Sequence, residues 1–414
     1  MRMTLPRALV AVMLLLSADT LVAQHAAHEM GGMPMDSTAH AWHVMAQAIP
    51  LLTRASPSAG GVTKTEATLT QPILMARGRW REMLALDATF DVEGLTMRDG
   101  ELNTGGAGEG FVDRRHPHTY VHEIMGSALG ATGGMRYSVS LGRGFASFGT
   151  DDPMMRPIVK FPLNHHLAQI LERGVIVAAV RGGPVMAEAS SFGGDEPTSP
   201  SSAPAARRLG DSWSLRSTLL PIKGAEIQAS YARVASPEQV SGFGLDQRKQ
   251  SVSARLAPAA SGWYALAEWE KTQDHDSARA LDVFAYESVL AEGSIALGRA
   301  SLSLRLEQTE RPEEDRLADP SRTPRPASDL SINGITRWRA ATLNGTGSPV
   351  TVRALSGLPF VEVALLSASP KDPRSIFTPE RLYGTSAFTM ITVGMRLVAG
   401  SPHTRMGRYG VAVP

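Results

Sequence analysis

Met83-Leu84-Ala85-Leu86-Asp87-Ala88-Thr89-Phe90-Asp91-Val92-Glu93 alternates strictly between two kinds of residue. Leu84, Leu86, Ala88, Phe90 and Val92 share one side, and Asp87, Thr89, Asp91 and Glu93 share the other. A period of two belongs to an extended strand with two unlike faces, and no buried helix arranges residues in this way. Met135–Arg143 repeats the pattern, with Met135, Tyr137, Val139 and Leu141 opposite Arg136, Ser138, Ser140 and Gly142. So does Ile295–Glu307, in which Ala296, Ala300, Leu302, Leu304 and Leu306 oppose Arg299, Ser301, Ser303, Arg305 and Glu307.

Outward from these segments the rule holds from Trp42–Arg54 to Ser386–Val398, taking in Thr119–Gly130, Gln169–Arg181 and Val350–Leu366. That makes roughly sixteen strands, most of them about nine to thirteen residues long, whereas strands of soluble proteins average about five to six. The connections come in two lengths. Ala131–Gly134, Gly182–Pro184 and Lys223-Gly224 are tight, while Gly193–Gly210, Glu310–Ser328 and Ser367–Gly384 are long and polar. Short turns at one end and long loops at the other are the asymmetry of a membrane-spanning barrel. Trp263 and Trp269 fall on one face of a strand, about 20 Å apart at the strand rise and near the spacing of two aromatic girdles. Glu268 and Glu270 take the opposite face. The expectation is an all-β, single antiparallel transmembrane barrel of about fourteen to sixteen strands, with a soluble sandwich or propeller as the alternative.

Composition narrows the classes. A chain of 414 residues admits one large barrel or two to three soluble domains, and the alternation continues unchanged across Gly193–Gly210, where a linker would fall. With 41 Lys and Arg against 40 Asp and Glu, there is no charge excess of the sort that binds nucleic acid by neutralising phosphates. Cysteine is absent from the sequence, which excludes disulfides, thiolate metal sites and cysteine nucleophiles. Arg2 and Arg7, the apolar run Ala8–Leu16 and Leu21-Val22-Ala23 read as a signal peptide over residues 1–23. Residues 24–41 read as a disordered segment, 42–400 as the barrel and 401–414 as a tail beyond the last strand. The signal peptide marks a bacterial exported protein, destined for periplasm, outer membrane or medium; a transmembrane barrel selects the outer membrane, with membrane lipid around the wall and a small solute or metal ion within it.

Two regions carry ligand chemistry. His25, His28, Met30, Met33, Met35, His40 and His43 bring imidazole and thioether groups together around Gly31, Gly32 and Pro34. That pairing suits soft copper ions and needs no fold, and an unstructured run rich in Met and His is the alternative. Gly110–Glu123 contains Asp113, His116, His118, His122 and Glu123, and Asn164 precedes a further pair, His165 and His166, which opens a strand-like segment. A strand places His118, Tyr120 and His122 on one face, as a metal site requires. Ordinary hydrogen bonds and salt bridges to Arg114 and Arg115 satisfy the same residues equally well. A lipid hydrolase with His122 as wall-mounted base is a third reading, although Glu123 and Ser127 then fall on the other strand face. Gly105–Gly110 is glycine-rich without a strand-to-helix context, so no phosphate cradle is read there.

By its strand pattern the mature chain resembles Gram-negative outer-membrane β-barrels of the porin type, and the His25–His43 tract resembles the leaders of copper-resistance outer-membrane proteins. The resemblance implies non-catalytic passage of small solutes or handling of copper, with a structural or adhesive barrel as a further alternative. It also implies a last strand closing on a terminal aromatic residue, whereas this sequence runs past Val398 through Tyr409 to Pro414.

Overall fold

The computed structural model describes residues 40–57, 61–96, 119–150, 152–197, 199–239, 241–258, 262–314, 330, 332–400 and 405–413. Within them the chain forms β1 (His40–Ser56), β2 (Lys64–Trp80), β3 (Leu84–Asp91), β4 (Val121–Thr132), β5 (Met135–Gly144) and β6 (Arg173–Gly182). There follow β7 (Val185–Phe192), β8 (Ser212–Leu219), β9 (Ala225–Val234), β10 (Asp246–Leu256), β11 (Trp263–Asp276) and β12 (Leu281–Leu297). The last are β13 (Ala300–Glu314), β14 (Ile332–Thr346), the short β15 (Val350–Val352), β16 (Leu355–Pro370) and β17 (Ala387–Gly400). Each long strand pairs antiparallel with its neighbours in sequence, and β14 reaches past β15 to β16. β1 then pairs with β17, Leu51 opposite Gly394, so the sheet closes as a sixteen-stranded barrel with β15 as a flap on β16.

The two faces divide as the alternation requires. Along β13, Leu302, Leu304 and Leu306 point outward and are exposed, while Ser303, Arg305 and Glu307 are buried inside. Val139 and Leu141 of β5, Leu215 of β8, Val289 of β12 and Ile391 of β17 continue the apolar outer surface around the wall. In water so many exposed Leu, Val and Ile side chains would drive aggregation, whereas lipid is their matching solvent. Trp42, Trp80, Tyr137 and Trp263 stand outward at the end with the tight turns. Trp213 and Tyr231 meet at 5.5 Å toward the other end.

Some boundaries differ from those expected. Ile295–Glu307 is not one strand, because Gly298, at φ +66°, and Arg299 form a two-residue turn between β12 and β13, which puts Arg299 outside the wall. Val350–Leu366 likewise folds into β15 and β16 around Arg353, at φ +55°. β6 starts at Arg173, four residues later than Gln169, and His165 and His166 lie in a single helical turn (His165–Ala168). Alternation alone does not mark these ends, since a tight turn leaves the polar and apolar order intact.

The interior also departs from a purely polar lining. Met75, Met125, Val175, Val177 and Phe192 point inward and are buried with Phe145, Phe148, Met154, Phe161, Met406 and Tyr409 in one apolar cluster. The last six belong to two segments that enter the barrel from opposite ends. Residues 145–172, between β5 and β6, fold in from the long-loop end, and residues 405–413, after β17, fold in from the tight-turn end. Inward apolar residues therefore pack against protein, as they do in any core.

Candidate functional site

The segment 145–172 crosses the lumen from β5 and β6 to the opposite wall and is tied there at each step. Ser147 and Gly149 donate backbone N–H groups to the hydroxyls of Ser190 on β7 and Ser230 on β9. Arg156 forks onto Glu268 of β11, 2.7 Å from Oε1 and 3.2 Å from Oε2, and Thr150 bonds the same carboxylate. The backbone N–H groups of Val159 and Lys160 bond Glu362 of β16, and that of Leu163 bonds Glu307 of β13. Asn164 reaches Glu270 at 2.9 Å. In return Arg305 on β13, itself paired with Glu292 on β12, donates to the carbonyl of Lys160, and Arg396 on β17 donates to that of Arg156. Acids and bases of the wall thus complement a loop backbone whose polar groups would otherwise be stranded away from water.

His122 stands where this segment begins and ends. Its Nδ1 is 2.7 Å from Glu172, the last residue of the segment, and its Nε2 is 3.5 Å from Asp152 near the start. Phe145 sits edge-on to the ring at 5.2 Å. Glu172 also accepts from the N–H of Thr119, and it adopts φ +61°, a left-handed backbone that a non-glycine residue occupies at a cost of order 1–3 kcal/mol. Asp152 accepts from the N–H of Met154 and so caps the first turn of the segment. Burial alone would raise the Asp152 carboxyl, but the His122 imidazole 3.5 Å away and the nearby charge of His165 hold it below its usual range.

A bulge explains why His122 and Glu123 both face inward. Thr89 of β3 pairs with Glu123 and Phe90 with Val121, so His122 is the extra residue on β4. Strict alternation puts adjacent residues on opposite faces, and an inserted residue breaks that rule locally. Both side chains are buried, Glu123 accepting from Thr89 at 2.8 Å and from the Tyr409 hydroxyl at 2.8 Å. Ser127, by the same shift, also points inward and shares a 2.7 Å hydrogen bond with Ser140.

The residues expected to bind metal are scattered by the fold. Asp113, His116 and His118 lie outside the described residues, as do His25, His28, Met30, Met33 and Met35. His40 opens β1, and His43 is half-buried on the same strand. His165 is buried edge-on to Phe161 at 4.8 Å and lies close enough to Asp152 to act on its charge; His166 follows in the same helical turn. The two carboxylates beside His122 face opposite edges of its ring and so cannot converge on one ion with it. Among the described residues no group of three or more His, Asp or Glu side chains converges as a metal shell does.

The second insertion carries residues that alternation did not single out. Arg408 bridges Glu188 of β7 at 3.1 Å and Glu226 of β9 at 2.8 Å, and Arg405 forks onto Glu226. Arg216 of β8 grips both oxygens of Glu188 at 2.7 Å and donates to the carbonyl of Gly407. Arg77 of β2, paired with Asp87 of β3, donates to the carbonyl of Arg408. Tyr409 accepts from the N–H of Phe145, which joins the two inserted segments, and Val411 donates to Ser138 of β5. The signal that the sequence offers for this segment is two arginines spaced by three, Arg405 and Arg408, in the run beyond the last strand.

Among solved structures the chain is similar to an anion-selective porin from Comamonas acidovorans, with a TM-score of 0.53 and 11% identity over 87% of this chain and 99% of that one. It is also similar to a loop L8 deletion mutant of OmpT, an outer membrane protein of Vibrio cholerae, with a TM-score of 0.49 and 9% identity over 87% of this chain and 100% of that one. No protein-family model matches the chain, and no curated protein matches it either. The likeness to the Comamonas porin is one of fold, and the chain is a porin-like barrel in that sense.

Proposed function

We infer that the chain is an outer-membrane barrel for the passage of small solutes, in which segment 145–172 controls the way through. The observation that carries this reading is the division of the wall into an apolar exterior and a charged interior braced across its width by Arg156–Glu268 and the Glu362 and Glu307 contacts. Nearly every inward side chain is buried, so passage requires part of the filling to move. Segment 145–172 is held at both walls by hydrogen bonds and ion pairs as well as by its share of the apolar cluster, and the polar contacts are the ones that exchange for water as it moves. Planar-bilayer recording of the purified protein tests the reading. Discrete current steps support it, and a reconstituted, folded barrel that never conducts and never lets a small sugar into vesicles refutes it.

Copper handling by His25–His43 is the finer part of this reading and rests on ligand chemistry alone. Copper titration of the mature protein beside a variant without that tract decides it, and equal binding by the two removes the metal from the function.

A further inference from the structure

We propose that the β2–β9 side of the lumen is a binding site for arginine-bearing peptides, which the chain fills with its own residues 405–413. This deepens the passage reading by naming a solute class, and it rests on that reading only for the step of transport, not for the binding itself.

The geometry is that of a peptide complex. The wall offers carboxylates to guanidinium groups and donors to peptide carbonyls, in alternation along one bound segment. Glu226 takes the fork of Arg405 and one arm of Arg408, and Glu188 takes the other arm. Arg216 and Arg77 donate to the carbonyls of Gly407 and Arg408, and Ser138 accepts from the N–H of Val411. Main-chain contacts of this kind are available to any peptide, whereas the side-chain contacts select. A planar guanidinium matches two carboxylates placed side by side, and an ammonium presents a single point charge that does not. Met406 and Tyr409 add apolar anchors in the cluster with Phe145 and Met125. The pattern recognised is two arginines three residues apart, the second followed by an aromatic ring.

Charge bookkeeping on the wall agrees. Arg77 balances Asp87 and Arg216 balances Glu188, so those pairs survive without the segment. Glu226 would lose Arg405 and Arg408 and keep only the Gln228 amide and the nearby charge of Arg255, and Glu123 would lose its tyrosine hydroxyl while keeping Thr89. An emptied site thus leaves the Glu226 carboxylate short of two cations and open to a cationic ligand, and buried charges that lose their partners are costly.

The test uses a chain ending at Gly400, checked for folding by heat-modifiable migration, and a fluorescent peptide with the sequence of residues 401–414. Saturable binding in detergent is expected. Replacing both arginines of the peptide with lysine should weaken binding by about tenfold or more, the scale of losing well-formed buried charge pairs. Equal binding of the lysine peptide, or none of the native one, overturns the proposal. If the shortened chain does not fold, the full chain with Glu226→Gln is probed with trypsin: cleavage at Arg405 and Arg408 should appear in the variant and not in the parent, and equal protection overturns the proposal. Conductance is read separately. Peptide binding by a barrel that never conducts sinks the passage reading alone, and conduction without peptide binding sinks this one alone.

Discussion

His122, Asp152 and Glu172 tie the two ends of segment 145–172 together through one imidazole ring. Because the folded Asp152 carboxyl lies below its ordinary value of 3.8, its ionised form stabilises the seated segment. That contribution is complete above the unfolded value and is lost as pH falls through the lower, folded one. Amide exchange of residues 145–172, followed side by side in the parent and in Asp152→Asn, should be faster in the variant near neutral pH. The gap should close as the pH is taken below 3.8. A gap independent of pH would show that the carboxylate charge has no part in holding the segment. Arg156 sets a second expectation. Arg156→Ala leaves Glu268 buried without its guanidinium and should destabilise the fold by about 3–5 kcal/mol, while Arg156→Lys recovers part of that loss. Urea midpoints in detergent measure both.

At the scale of elements, one inserted residue on β4 turns His122 and Glu123 to the same side, and each finds a different partner segment there. Removing the bulge by deleting His122 should restore plain alternation, release both the 152 and 172 contacts, and raise the single-channel current. Segment 145–172 is the larger obstacle. Replacing residues 147–168 with a short glycine-serine linker should raise conductance severalfold while leaving the wall intact, since the wall strands pair with one another independently of the loop. Unchanged conductance would place the barrier at residues 405–413 instead.

For the molecule as a whole, closure of β1 on β17 leaves the sixteen wall strands with no open edge strand among the described residues, and the outward Leu, Val and Ile side chains form a continuous apolar surface. Leu304 lies on this surface in the middle of the outward apolar run Leu302–Leu306 of β13. Leu304→Arg should cost about 2–4 kcal/mol in urea unfolding from lipid vesicles, as a charge does at the bilayer midplane, and Leu304→Ala much less. Near-equal losses would mean that this face does not meet lipid.

What the sequence determined by itself is the wall. Period-two alternation, strand length and the two classes of connection are local properties, and Leu302–Leu306 against Ser303–Glu307 shows them preserved in the barrel. What fills the wall is set by contacts between distant parts of the chain. Whether a loop or a trailing segment folds inward depends on partners far away in the chain, such as Glu268 for Arg156 and Glu226 for Arg408, and no local pattern encodes a contact across more than one hundred residues. The bulge at His122 belongs to the same class, because a single inserted residue leaves no trace in composition and becomes visible only when the paired strand fixes the register.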